Sequence, residues 1–270
     1  MLKYYQQVGR IAHNTHPKDA GVQVDGRGLI TEIIEGKFLD DPKPDLQAAI
    51  DELEAVGAKR WQAVKKALDD RPQLPARTDP VPRTELQLGG FGGQGIISAG
   101  KIVGQAGSIY DGLEVSFTQS YGPEARGGSA GSQVVISSQP IHHPHITKPT
   151  NMIIMSQGAY TKYVSNLASG GALFIDDGLV VPPDDHRQDI TTYGLPATQI
   201  AEELGNSRAA NTVMLGFWAA IAGVISQEAM RQSVRVSVPP KTIDVNMKAF
   251  DFGYDRGTEV KQNVAGQNKG

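Results

Sequence analysis

Cysteine is absent from the 270 residues. The chain therefore cannot itself hold a thiolate zinc site or an iron–sulfur cluster, and it has no Cys nucleophile and no disulfide. A reducing compartment is compatible with that absence. Long apolar runs are missing as well. The most apolar stretch, residues 213–225, is too short to span a bilayer and predicts a buried helix. The first residues, Met1-Leu2-Lys3-Tyr4-Tyr5-Gln6-Gln7, lack the apolar centre of a signal peptide, so the expected location is the cytoplasm. Neither sign of charge dominates: 26 Lys and Arg stand against 29 Asp and Glu, for a net charge of −3. That balance leaves no footprint for nucleic acid or a membrane surface. There is no internal repeat.

Glycine, in contrast, is plentiful, and five of the glycines lie between Gly89 and Gly95. The stretch Leu88-Gly89-Gly90-Phe91-Gly92-Gly93-Gln94-Gly95 follows a short strand at 85–88 and precedes a helix predicted over 96–107. Glycines there allow positive φ and close approach of a ligand to the backbone. The helix N–H groups and positive dipole end make the stretch a phosphate site. Gly90-Phe91-Gly92-Gly93-Gln94-Gly95 also fits the dinucleotide pattern G-x-G-x-x-G. However, the acidic partner expected about 20 residues on is Glu114, near the start of the next strand rather than its end. A second template, G-x-x-x-x-G-K from Gly95 to Lys101, fails because Ile102 stands where Mg²⁺ needs a hydroxyl. What remains is an anion-binding loop with Lys101 as a second charge.

Around this loop the chain divides into three parts. Residues 1–83 form an N-terminal, partly helical extension. In it 29–34 reads as a short strand or helix turn, and the glycines at 21, 26, 28 and 36 argue for loops. Leu46, Ile50, Leu53, Val56, Trp61, Val64 and Leu68 recur at helical spacing, for packing on this chain's core or on a partner. Pro72, Pro75, Pro80 and Pro82 mark an extended linker. Residues 84–253 alternate strands with helices. Strands are predicted at 113–118, 133–137, 152–155, 172–177 and 190–193, and helices at 159–167, 198–204, 211–225 and about 240–252. Ser226 is an N-cap for a helix that follows it. This order predicts an α/β fold with a mostly parallel, Rossmann-like sheet flanked by helices. Residues 254–270 read as a polar tail.

The segment Tyr121-Gly122-Pro123-Glu124-Ala125-Arg126-Gly127-Gly128-Ser129 is the second unusual stretch. Gly-Pro sets a turn, and Arg126 can brace Glu124 or grip a phosphate or carboxylate. His142, His143 and His145 offer three imidazoles, but Pro144 breaks their spacing and the stretch reads as a surface loop. Asp176-Asp177 and Asp184-Asp185 fit acidic strand ends and loops better than a Mg²⁺ site.

The glycine loop, the Tyr121–Ser129 segment, the pair Pro140-Ile141 with Pro144, the string Met155-Ser156-Gln157-Gly158-Ala159-Tyr160, and Gly170-Gly171 through Asp176 come in the order of one family. Over about residues 86–250 the chain resembles the gamma subunit, or gamma domain, of the 2-oxoacid:ferredoxin oxidoreductases. The resemblance implies a non-catalytic subunit of a multi-subunit enzyme that converts a 2-oxoacid to an acyl-coenzyme A. It implies thiamine diphosphate with Mg²⁺ between alpha and beta partner subunits, and 4Fe-4S clusters in cysteine-bearing partners such as a ferredoxin-like delta subunit. The electron acceptor is ferredoxin, or NAD through a flavin subunit carrying FAD. On that resemblance Gly90, Gly92, Gln94, Gly95 and Lys101, with Asn211, contact coenzyme A, and Tyr121, Glu124, Arg126, Gly127 and Gly128 form a subunit interface at the active-site entrance. No residue of this chain is expected to be catalytic or to hold a metal. The competing expectation is a stand-alone Rossmann-type NAD-binding protein or dehydrogenase.

Overall fold

The computed structural model describes residues 21–24, 30–34, 74, 79–121 and 129–267. The chain forms two units, Met1–Arg71 and Pro72–Gly270. In the first, strand β1 (Gly21–Val24) pairs antiparallel with β2 (Ile30–Ile34), with an irregularity at Gln23 and Val24. Ile30–Ile34 thus forms a strand, and Gly21 begins one rather than lying in a loop. The helical pattern over 46–68 lies outside the described residues.

The second unit is built on a six-stranded sheet. Its strands are β3 (Thr84–Phe91), β4 (Glu114–Tyr121), β5 (Ser129–Ser137), β6 (Asn151–Ile154), β7 (Ala172–Asp176) and β8 (Thr191–Leu195), in the order β4-β5-β3-β6-β7-β8. β3, β6, β7 and β8 are parallel neighbours, while β5 runs antiparallel between β3 and β4. Only β5 opposes the common direction. β3 is central and buried from Thr84 through Gly90, as a strand flanked on both sides and covered on both faces should be.

One face of the sheet carries the larger core. Helix α1 (Ile96–Gln105) buries Ile96, Ala99, Ile102 and Val103 on it and passes into a π-helical turn at Ala106–Tyr110. A Cβ on Gly100 would lie 2.8 Å from the Phe117 ring, so glycine lets α1 settle onto the sheet. There the Ser132 hydroxyl donates to the Ile96 carbonyl at 3.0 Å. The opposite face carries helix α2 (Gln157–Tyr163), capped by Ser156, over Met152, Ile154, Leu173 and Ile175. Helix α3 (Ala197–Glu203) returns the chain to the first face.

Helix α4 (Ala210–Ala222) is buried on every side over its first eleven residues, so it is the centre of the core rather than an amphipathic cover. The Trp218 indole N–H donates to Asn151 Oδ1 at 3.1 Å, which satisfies its one polar atom. Helix α5 (Gln227–Ser237) starts at Ser226, whose hydroxyl accepts from Ala229 N–H as expected of an N-cap. The last helix, α6 (Ile243–Gln267), corrects the reading of 254–270 as a polar tail. Gly253 and Gly257 do not end the helix. They face α4, where Gly216 completes the contact, and the backbones meet where side chains would collide. Arg231 pairs with Asp251 to tie α5 to α6.

Candidate functional site

The C-terminal end of β3 opens into a turn at 92–95, with φ +106° at Gly93 and +73° at Gly95. Gly89 and Gly90, read from the sequence as part of the loop, instead belong to the strand. A Cβ on Gly90 would sit 2.6 Å from Gln94 Oε1, so this glycine makes room for the turn. Gly92 and Gly93 are exposed, as is Phe91 at the lip. Gly95 is the N-cap of α1, and no side chain caps that end. The first-turn N–H groups of Ile96, Ile97 and Ser98 lack intrahelical acceptors and face outward at the turn.

The turn is braced from behind. Gln94 Oε1 accepts from the Phe91 N–H at 2.7 Å, and Gln94 Nε2 donates to the Met155 carbonyl at 2.7 Å. Both ends of this amide are engaged with the fold. Asn211 Nδ2 donates to the Gly95 carbonyl at 3.1 Å, alongside the Ala99 N–H at 2.8 Å. Asn211 lies in the first turn of α4, which continues from the turn Ser207–Ala209 capped by the Asn206 side chain. The free helix N-terminus at Gly95 is that of α1, and its dipole end favours an anion.

Among the residues expected to contact a ligand, Gly92, Gly95 and Lys101 sit where they can. Lys101 is exposed on the same face as Ser98, one turn back, and a helical side chain leans toward the N-terminus. Gln94 and Asn211 shape the turn. Tyr121 ends β4, while Glu124, Arg126, Gly127 and Gly128 lie outside the described residues. β4 ends at Tyr121, paired with Ala130, and β5 begins at Ser129, paired with Phe91, so the described ends of that segment lie at the same end of the sheet as the glycine turn. The sequence reading passes over Ser98 and Arg208. Arg208 is exposed in the turn Ser207–Ala209, three residues before Asn211. A basic residue after the Asn206 cap was the available signal.

Glu114 sits at the opposite end of β4, paired with Ser137. Seven strand steps separate it from Tyr121, or about 23 Å at the usual rise. It cannot bind the ribose of a dinucleotide seated on the glycine turn.

Of the acidic pair at the end of β7, Asp176 serves the fold. Asp176 is fully buried, and its Oδ2 accepts from the Thr198 N–H at 3.0 Å and hydroxyl at 2.5 Å, anchoring α3. Burial, then the charge of Asp176, raises the Asp177 pKa above the ordinary carboxyl value. An acid with a raised folded pKa disfavours folding once deprotonated, so its penalty grows as pH rises through that pKa and is absent at low pH. Asp177→Asn should therefore raise the melting temperature by about 1 °C at neutral pH, because the site is exposed. It should leave the temperature unchanged at about pH 3, where the carboxyl is protonated in both states. Thermal unfolding at the two pH values checks this.

A glycine turn that joins a central parallel strand to an uncapped helix characterises this α/β domain. The chain belongs to the pyruvate ferredoxin/flavodoxin oxidoreductase family, which it matches over residues 85–256, and it corresponds to the family's gamma subunit. It is 44% identical over 179 residues to the 2-oxoglutarate synthase subunit KorC of Methanocaldococcus jannaschii, covering 66% of this chain and 96% of that one. Ketoisovalerate oxidoreductase subunit VorA of Methanothermobacter marburgensis is 32% identical, over 66% of this chain and 38% of the relative. The gamma subunit of keto/oxoacid ferredoxin oxidoreductase from Geobacter sulfurreducens has a similar structure, with a TM-score of 0.57 and 37% identity, over 65% of this chain and 98% of that one. The 2-oxoglutarate:ferredoxin oxidoreductase of Magnetococcus marinus, solved with 2-oxoglutarate, coenzyme A and succinyl-CoA, shares the fold at a TM-score of 0.57 and 24% identity, over 67% of this chain and 31% of that one. The relatives are subunits of oxidoreductase complexes. The family match begins within β3 and leaves the first unit outside it. Among the described residues no helix is long and apolar enough to cross a membrane.

Proposed function

We propose that this gamma subunit holds coenzyme A for a multi-subunit 2-oxoacid oxidoreductase, gripping its phosphates on the glycine turn at 92–95. The observation that carries the reading is the uncapped N-terminus of α1, braced by Gln94 and Asn211, with Lys101 on the adjacent exposed face. Backbone N–H groups at that dipole end suit phosphate oxygens, and the ammonium adds a mobile countercharge. Lys101 is the only titratable side chain from Gly89 to Lys101, so the turn binds and orients without a dedicated proton carrier. Thiamine diphosphate with Mg²⁺ in the alpha and beta subunits supplies decarboxylation, and clusters in cysteine-bearing subunits carry the electrons to ferredoxin or a flavin subunit. This chain, without cysteine, delivers the thiol cosubstrate.

The stand-alone dehydrogenase reading is disfavoured by the position of Glu114. It is also disfavoured by antiparallel β5, which lies between β3 and β4 where a dinucleotide fold places adjacent parallel strands. In the assembled complex, assayed first with 2-oxoglutarate, Lys101→Ala should raise the apparent KM for coenzyme A about fivefold, as for one exposed charge-assisted contact. The KM for the 2-oxoacid and the rate at saturating coenzyme A should not change. An unchanged KM for coenzyme A would remove Lys101 from the site.

A further inference from the structure

The Gly95 carbonyl accepts a hydrogen bond from Asn211, and an amide can make that bond only if it presents nitrogen rather than oxygen. What fixes the orientation lies deeper in the core. Thr212 is 1% exposed, and its hydroxyl lies 3.3 Å from Asn211 Oδ1 and 3.0 Å from Asn246 Oδ1 on α6. Asn246 is itself held with its nitrogen on the Thr242 carbonyl at 2.8 Å, so its oxygen faces Thr212. One hydroxyl proton thus stands between two amide oxygens, all within a buried stretch.

We propose that Thr212 is a positioning residue for the anion turn: its hydroxyl holds Asn211 Oδ1, turns Asn211 Nδ2 toward Gly95, and so sets the N-cap geometry on which ligand binding depends. A buried amide oxygen without a donor is costly, which makes the hydroxyl proton the orienting element. Removing the hydroxyl releases Asn211 to rotate and loosens Gly95. Removing the competing acceptor on Asn246 instead leaves the proton entirely to Asn211 and keeps the turn in place. A role confined to core packing predicts no such difference between the two sites. The inference rests on the coenzyme A reading for its effect on binding, but not for its effect on the turn.

The test uses the assembled complex carrying Thr212→Val, Thr212→Ser or Asn246→Ala. Amide hydrogen exchange of the peptide spanning residues 89–100 is measured without coenzyme A, and the KM for coenzyme A in turnover. Thr212→Val should speed exchange in that peptide and raise the KM for coenzyme A about tenfold, the cost of one buried hydrogen bond. The KM for the 2-oxoacid should stay constant. Thr212→Ser should restore both readouts, and Asn246→Ala should leave the turn protected. If Thr212→Val impairs assembly, Thr212→Ala carries the same test, since it also removes the hydroxyl and leaves Asn211 intact. Unchanged exchange in the turn, or equal loosening by Asn246→Ala, overturns the proposal. Faster exchange with an unchanged KM for coenzyme A upholds the positioning role and overturns the coenzyme A assignment.

Discussion

Gly253→Ala should lower the melting temperature of the protein by about 10 °C, and Gly253→Val should abolish cooperative unfolding. Helix propensity alone predicts the opposite sign, because alanine in a helix interior is favoured over glycine by about 1 kcal/mol. The contact decides. A Cβ on Gly253 would overlap the Val213 carbonyl and stand 3.0 Å from the Phe217 nitrogen, both backbone atoms of α4. Gly216 on α4 meets the Phe250 carbonyl in the same way, and a Cβ on Gly257 would lie 2.7 Å from the Phe217 carbonyl. No flexible side chain can yield, so the helices must separate along the most buried part of the core, around Phe217, Trp218 and Phe250. Overpacking of this kind costs about 3 kcal/mol or more, which for a domain of this size is about 10 °C. Thermal unfolding followed by far-UV circular dichroism distinguishes the two signs.

Gly95→Ala should weaken coenzyme A binding by more than about tenfold while leaving the subunit able to assemble. Two costs add at this position. The residue holds φ at +73°, which disfavours any side chain by about 1 kcal/mol, and an added Cβ would overlap Asn211 Nδ2 and displace the amide that holds the turn. Gly93 separates these costs. It has φ +106° but open space where a Cβ would go, so Gly93→Ala strains the backbone without disturbing Asn211 and should have the smaller effect. The apparent KM for coenzyme A of the two variants, compared in the same complex, gives the ranking.

The alternation of apolar runs and glycine turns makes the order of elements from β3 to α5 legible in the sequence. The strand Ala172–Asp176, the cap at Ser226 and the apolar helix Ala210–Ala222 all follow from local pattern, although the apolar run continues past the helix end at Gly223. Antiparallel β5 is not legible, because strand direction is decided by pairing across the sheet rather than by the residues of one strand. The end of α6 is misread for a different reason. Gly253 and Gly257 look like helix breakers when isolated, and only the proximity of α4 makes glycine the residue that fits. At the site, the glycine spacing and Lys101 identify an anion loop. The bonds of Gln94 and Asn211 to the Met155 and Gly95 carbonyls are not legible locally, because both partners are distant in the sequence.

Equilibrium binding of coenzyme A to the assembled complex, without 2-oxoacid so that no turnover occurs, tests the glycine turn most directly. By titration calorimetry, the complex carrying Gly95→Ala should bind coenzyme A more than about tenfold more weakly than the wild type, with the same subunits present in the same ratio. Equal affinity in an intact complex would contradict the assignment of the turn as the coenzyme A grip.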